Sequence, residues 1–136
     1  MIKITIKGKP IALKRHRSTR SGRMYDPSAK DKKQIWLQIA RFKPKRPLEG
    51  QIMLFATFYM PRPKKHFRTG KYANVLKDGV PEYHTNTPDL DNLVKMIADI
   101  VQGKNRFIKD DSQICRIQAE KIYSKQPRTE IIIEEI

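Results

Sequence analysis

The run "GQIMLFATFYMP", residues 50–61, is apolar on both alternations. That is the pattern of a central strand covered on both faces, and Pro61 and Pro63 stop it. Working back from it, Asp26 stands as an N-cap and Pro27 at the first position of a helix. In that helix Trp36, Ile39 and Ala40 fall at i, i+3 and i+4, which reads Trp36 as core, and "KPKRP" (43–47) ends it. Further back, Ile2, Ile4 and Ile6 alternate with Lys3, Thr5 and Lys7, a half-buried strand stopped by Gly8 and Pro10. Working forward, a second helix opens near residue 88 and runs to Gly103, a natural C′ residue. Residues 112–123 and 129–136 read as two closing strands with a turn at Gln126-Pro127. The order strand, helix, strand, helix, strand, strand predicts one α+β domain over residues 1–136, a mixed sheet with two main helices.

Two stretches fall outside these elements. Residues 12–25, "ALKRHRSTRSGRMY", carry Lys14, Arg15, Arg17, Arg20 and Arg23 among Ser and Gly, and read as a mobile basic arm. Residues 61–87 carry Lys64, Lys65, Arg68, Lys71 and Lys77 interleaved with Phe67, Tyr72 and Tyr83. A polar connection of that length is uncommon unless it serves a function or is disordered.

The 136 residues hold 29 lysines and arginines against 14 acids, a net charge of +15. Such density points to a polyanionic partner, nucleic acid first, although a ribosomal-type or solubility-driven surface has the same composition. Residues 1–77 hold 21 of the basic residues against three acids, whereas residues 78–136 hold eight against eleven. The single cysteine, Cys115, excludes an internal disulfide and a cysteine-based zinc cluster, and its strand-like setting predicts a buried thiol. No apolar run approaches the ~20 residues that span a bilayer, and the alternating N-terminus is a strand and not a signal peptide. These features predict a protein of the reducing cytoplasm, with no membrane partner.

The acids gather in "NTPDLDNLVKMIADIVQG" (86–103) and in "KDD" (109–111). On a helix starting near residue 88, Leu90, Leu93, Val94, Ile97, Ile100 and Val101 form the buried stripe, while Asp91, Lys95 and Asp99 line the opposite side. Asp89 converges with Asp91 only if it lies in a non-helical lead-in, which Thr87-Pro88 favours. A turn at Asp110 or Asp111 would add a third carboxylate. Aspartates meeting without histidine or cysteine partners make a hard oxygen site for Mg²⁺ or Mn²⁺, able to activate water beside a phosphodiester. Lys95 would carry positive charge to the phosphate. The same residues also suit plain structural roles: a helix start complementing its dipole, an Asp91–Lys95 surface pair, and an aspartate turn.

"TPDLDNLVK" followed by "KDDSQI" resembles the signature of the RusA-type Holliday junction resolvases, small endodeoxyribonucleases of bacteria and their prophages. "GKPIALKRHR", "YDP", Lys121 and "TEIIIEEI" are similar in type and order, so the resemblance covers nearly the whole chain. It implies a homodimer that binds four-way DNA and makes paired nicks with Mg²⁺ or Mn²⁺. It also implies that Asp89, Asp91 and Asp111 are the metal-binding carboxylates, with Asp110 adjacent, and that Lys95 is the essential lysine. Asp99 would be a supporting residue. A C₂ dimer suits a junction of approximate two-fold symmetry, with Lys14 to Arg23 and Lys64 to Lys77 gripping phosphates along the arms. The alternatives are a nuclease acting on other branched DNA, and a non-catalytic basic nucleic-acid-binding protein. His16 and His66 read as loop residues, and His84, five residues before Asp89, reads equally as a loop residue or a phosphate contact. Tyr72, Tyr83 and Phe67 could stack on unpaired bases or pack within their own loop.

Overall fold

The alternation at the N-terminus is carried out as a strand, β1 (Ile2–Lys7), with Ile4 and Ile6 buried and the lysines exposed. A computed structural model describes residues 1–15 and 17–136, and for Arg17 the backbone only. After β1 come a short ribbon, β2 (Arg17–Ser18) and β3 (Met24–Tyr25), then helix α1 (Ala29–Ile39). Strand β4 (Ile52–Pro61), helix α2 (Leu90–Val101) and strands β5 (Ile114–Ser124) and β6 (Arg128–Glu135) complete the chain. The main sheet has the order β1-β6-β4-β5. β6 is antiparallel to both β1 and β4, while β4 and β5 are parallel and joined through α2 as a crossover. This is the expected single α+β domain with a mixed sheet and two helices.

One sheet face and both helices share the core. Ile4, Ile6, Leu54, Ala56, Phe58, Met60, Ile131 and Ile133 meet Leu93, Met96, Ile97 and Ile100 of α2 and Ile35 and Ile39 of α1. The expected stripe of α2 is therefore real, with Met96 added to it. Trp36 is half-buried at the margin, edge-on to Phe107 at 5.9 Å, with Arg106 over its ring at 4.3 Å. Gly103 follows the α2 C-cap at φ 130°, a conformation that disfavours other residues.

Three expectations need correction. β4 is central, but the helices cover one face only; on the other, Phe55, Thr57 and Tyr59 are half-buried, sheltered by cross-strand neighbours such as Arg128, whose guanidinium lies 3.7 Å from the Tyr59 ring centroid. The apolar run reflects packing among outward side chains and not a second layer. Helix α1 starts three residues after Asp26, with Ser28 at the cap position. Asp26 instead accepts the Ser28 amide at 2.9 Å and the Lys32 ammonium at 2.7 Å. Cys115 is exposed, because it sits on the outer edge strand where the β4–β5 register shifts.

The arm is a small hairpin. Thr19 N–H donates to the Arg23 carbonyl at 2.8 Å and Arg23 N–H to Thr19 Oγ1 at 3.2 Å around the Gly22 turn, and the ribbon pairs Arg17 with Tyr25 and Ser18 with Met24. Its root is fixed: Leu13 N–H donates to the Asn92 carbonyl of α2 at 3.1 Å, and Lys14 N–H to the Oγ of buried Ser28 at 2.9 Å. Residues 61–87 also have local order, with short 3-10 turns at Lys64–His66 and Gly70–Tyr72 and a Phe67–Leu76 bridge.

Candidate active site

α2 begins at the carboxyl ends of the parallel pair β4 and β5, the end at which open α/β sheets bind ligands. Asp89 is its N-cap residue in an extended conformation (φ −70°, ψ 144°), which meets the condition for Asp89 and Asp91 to converge. Its carboxylate makes no cap hydrogen bond, so ordinary helix capping does not account for it. Asp91 is exposed in the first turn and accepts the Asn92 amide at 2.9 Å. Lys95 is exposed one turn on, and among the described residues no ion pair joins it to Asp91. Asp99 belongs to a different contact. Lys32 of α1 bridges it at 3.2 Å to Asp26 at 2.7 Å, tying the two helices together. Burial opposes the Lys32 charge, but the two carboxylates outweigh it and raise its pKa.

The turn that leads into α2 is pinned by a residue that pattern reading did not place in the site. Lys121 lies on the helix-facing side of β5, opposite Phe58, and donates to the carbonyls of Asn86 at 2.8 Å and Pro88 at 2.9 Å. A lysine on the apolar face of a closing strand was the available signal. The segment before it is held to the outer edge of β5, where His84 N–H donates to the Lys121 carbonyl and Tyr123 N–H to the Glu82 carbonyl.

Beside this turn lies a cleft of about 240 Å³ lined by Lys9, Arg62, His84, Asn86, Thr87 and the strand-end residues Met60, Pro61 and Tyr123. A larger depression of about 600 Å³ lies away from it between β1 and α1. In the smaller cleft the His84 ring packs edge-on to Tyr123 at 5.2 Å, and its buried Nδ1 has no partner among the described residues. Burial, and then the charges of Lys121 and Lys9, hold its pKa below the usual histidine value. His66 is buried and also edge-on to Tyr123, at 5.0 Å, and its pKa is likewise lowered by burial and then by Arg62, Lys65 and Lys77. His16 lies outside the described residues.

Asp110 and Asp111 are elsewhere. Asp110 caps a 3-10 turn, accepting the Ser112 amide at 2.9 Å, while Gln113 reaches back to the amides of Lys109 and Asp110. Gln113 also donates to the carbonyls of Leu48 and Gly50, which fastens the turn to the start of β4. The Asp111 amide donates to Gln102 Oε1 at 2.9 Å, at the far end of α2 from Asp89. A twelve-residue helix is about 18 Å long, so Asp111 and Asp89 of one chain stand roughly that far apart. Among the described residues no three His, Cys, Asp or Glu side chains form a metal-holding group. The expected convergence of Asp89, Asp91 and Asp111 is not met within one chain: the described residues put Asp89 and Asp111 at opposite ends of α2.

The basic residues are displayed. Lys14, Arg15, Arg20 and Arg23 on the hairpin, and Lys64, Lys65, Arg68 and Lys71 on the 61–87 segment, are all exposed or half-exposed; the Arg17 side chain is outside the described residues. The hairpin is rooted on Asn92, one residue past Asp91.

Comparison with known proteins gives the family. The model of the family Endodeoxyribonuclease RusA matches residues 7–134. The chain belongs to the RusA endodeoxyribonuclease family. This RusA member is similar to a Bacillus subtilis (strain 168) protein, YqaN, at 31% identity over 99% of this chain and 96% of that one. A Lactococcus phage r1t protein named crossover junction endodeoxyribonuclease rusA is 32% identical over 82% of this chain and 77% of its own. No helix among the described residues is long and apolar enough to cross a membrane.

Proposed function

We propose that the protein is a homodimeric, Mg²⁺- or Mn²⁺-dependent endodeoxyribonuclease that resolves four-way DNA (Holliday) junctions by paired symmetric nicks. Water attacks the scissile phosphorus in line and leaves 5′-phosphate ends. Asp89 and Asp91 are its carboxylate pair, Asp111 a further carboxylate, and Lys95 the cation beside the phosphate. The observation that carries the reading is the Asp89 turn. It holds an uncapped carboxylate at the carboxyl ends of β4 and β5, pinned by Lys121 and flanked by the rooted basic hairpin. Hard oxygen donors suit these cations, and the hairpin and the 61–87 segment suit phosphate contacts. The name of the phage relative, crossover junction endodeoxyribonuclease, supports the same substrate. Action in the bacterial cytoplasm, on DNA of a host or prophage, follows from that reading.

A non-catalytic nucleic-acid-binding role draws on the incomplete carboxylate set of one chain. One experiment separates the two. A synthetic four-way junction, a flap, a fork and a linear duplex are incubated with wild type and Asp89→Asn, with and without Mg²⁺. The nuclease reading expects junction cleavage by wild type in Mg²⁺ only, lost in the variant while junction binding persists. No cleavage by wild type of any branched DNA leaves the binding role standing; preferred cleavage of flaps or forks moves the substrate to other branched DNA.

A further inference from the structure

β1 ends the sheet on the side away from β5, and among the described residues nothing pairs with its outer edge. The register says which backbone groups that edge presents. Gly8 N–H donates to the Pro127 carbonyl at 3.2 Å, one step beyond the Lys7–Arg128 pair. Bonded pairs alternate along an antiparallel ladder, so Ile2, Ile4 and Ile6 bond to β6, and the N–H and C=O groups of Lys3, Thr5 and Lys7 turn outward. The same three residues form one wall of the depression of about 600 Å³ between β1 and α1. Leu37, Arg41 and Phe42, from α1 and the turn after it, line the other wall. Leu37 is 69% exposed and Phe42 43%, and the Arg41 guanidinium lies 4.7 Å from the Phe42 ring centroid. No acid lines the groove, and among the described residues no ion pair engages Lys3, Lys7 or Arg41.

An unpaired strand edge, an apolar flank and uncompensated cations therefore meet in one groove, and an occupant has to answer all three. The sugar–phosphate backbone of DNA answers the cations alone. It brings no donors for the outward carbonyls and nothing to cover Leu37 and Phe42. A second copy of β1 answers the edge but not the charge, because antiparallel pairing about Thr5 sets Lys3 of each copy against Lys7 of the other. A peptide strand answers the whole groove. Its residues opposite Lys3 and Lys7 share their face of the sheet, and the residues between them turn to the face on which Ile4 and Ile6 meet α1. We infer that the groove between β1 and α1 binds an extended acidic segment of another protein as an added strand, with carboxylates on Lys3 and Lys7 and the alternate, apolar residues against Leu37 and Phe42. Arg41 supplies a further cation at the rim. This docking site is separate from the Asp89 turn and does not depend on the nuclease reading.

The test uses a blocked peptide of alternating glutamate and valine, long enough to run along β1, added to the isotope-labelled full chain. Amide NMR signals of Lys3, Thr5 and Lys7 should shift and their hydrogen exchange should slow. An alternating lysine–valine peptide should leave them unmoved. In a Lys3→Glu, Lys7→Glu chain, whose changes fall at exposed positions, affinity for the glutamate peptide should drop by about tenfold or more, since two attractive cross-strand pairs become repulsive. The same chain should now take the lysine peptide. Leu37→Gln, which keeps every charge, should also weaken the glutamate peptide. Unmoved edge amides, or equal affinity for the glutamate peptide in the charge-reversed chain, overturn the proposal. Shifts of the same amides by a linear DNA duplex but not by the peptide also overturn it and make the groove a nucleic-acid surface. Shifts that grow with protein concentration alone put a second copy on the edge and overturn it as well.

Discussion

Replacing Asp110 by alanine removes the carboxylate that accepts the Ser112 amide. Losing the cap should lower the midpoint of chemical denaturation, with the turn carrying Asp111 loosened. Asp111→Asn keeps the side-chain shape at an exposed position and should change stability by less than about 0.5 kcal/mol. On the proposed reading it should nevertheless abolish junction cleavage, measured on the same preparations. Adjacent aspartates are indistinguishable by spacing; the Ser112 and Gln102 hydrogen bonds tell them apart. Lys121 makes a third case. Lys121→Met retains the stem and removes both hydrogen bonds that hold the start of α2. Cleavage should fall by at least tenfold while the circular dichroism spectrum stays that of wild type. Full activity would show that the Asp89 turn holds its shape without the lysine.

Helix α2 announces itself by apolar spacing, because one face of a helix must meet the sheet while the other meets water. Leu93→Ala should therefore cost about 2–5 kcal/mol in a denaturant titration, as expected for a fully buried leucine. The start of α1 was less legible. Asp26 and Pro27 fit a helix start by residue type, but Asp26 is engaged by Ser28 and Lys32, and the helix begins beyond them. β4 shows the limit of pattern reading in another way. Two apolar faces predict two covering layers, yet the outward face is half-sheltered by neighbouring side chains that no local window contains. The hairpin of residues 17–25 read as an arm because its polar, glycine-containing stretch carries no apolar period. Changing Arg20 and Arg23 together to alanine should weaken junction binding. It should also reduce the dependence of log K on log salt by about 1 for each phosphate that is no longer neutralised. A filter-binding series across salt concentrations reads both effects.

Acid should weaken the folded protein through two histidines packed against Tyr123, His66 and the half-buried His84. His66 and His84 have pKa values below that of a free histidine, so as pH falls through about 6.5 the unfolded chain takes up protons first. Stability should therefore decline as pH drops from 7 towards 5 and level off below the folded-state values. The decline in Tm over that range should be smaller in a His66→Gln, His84→Gln double variant. At the level of the assembled protein, charge was the most legible property: an excess of cations in residues 1–77 and of acids beyond them is composition, and composition does not depend on the fold. Apolar periods determined the elements and their α+β class, since burial acts on each segment locally. The motif in "TPDLDNLVK" and "KDD" likewise marked the carboxylates. Where those carboxylates stand was decided only in three dimensions. The crossover from β4 through α2 to β5 carries Asp89 to one end of the sheet and Asp111 to the other, and spacing along a chain contains no record of which ends a helix separates.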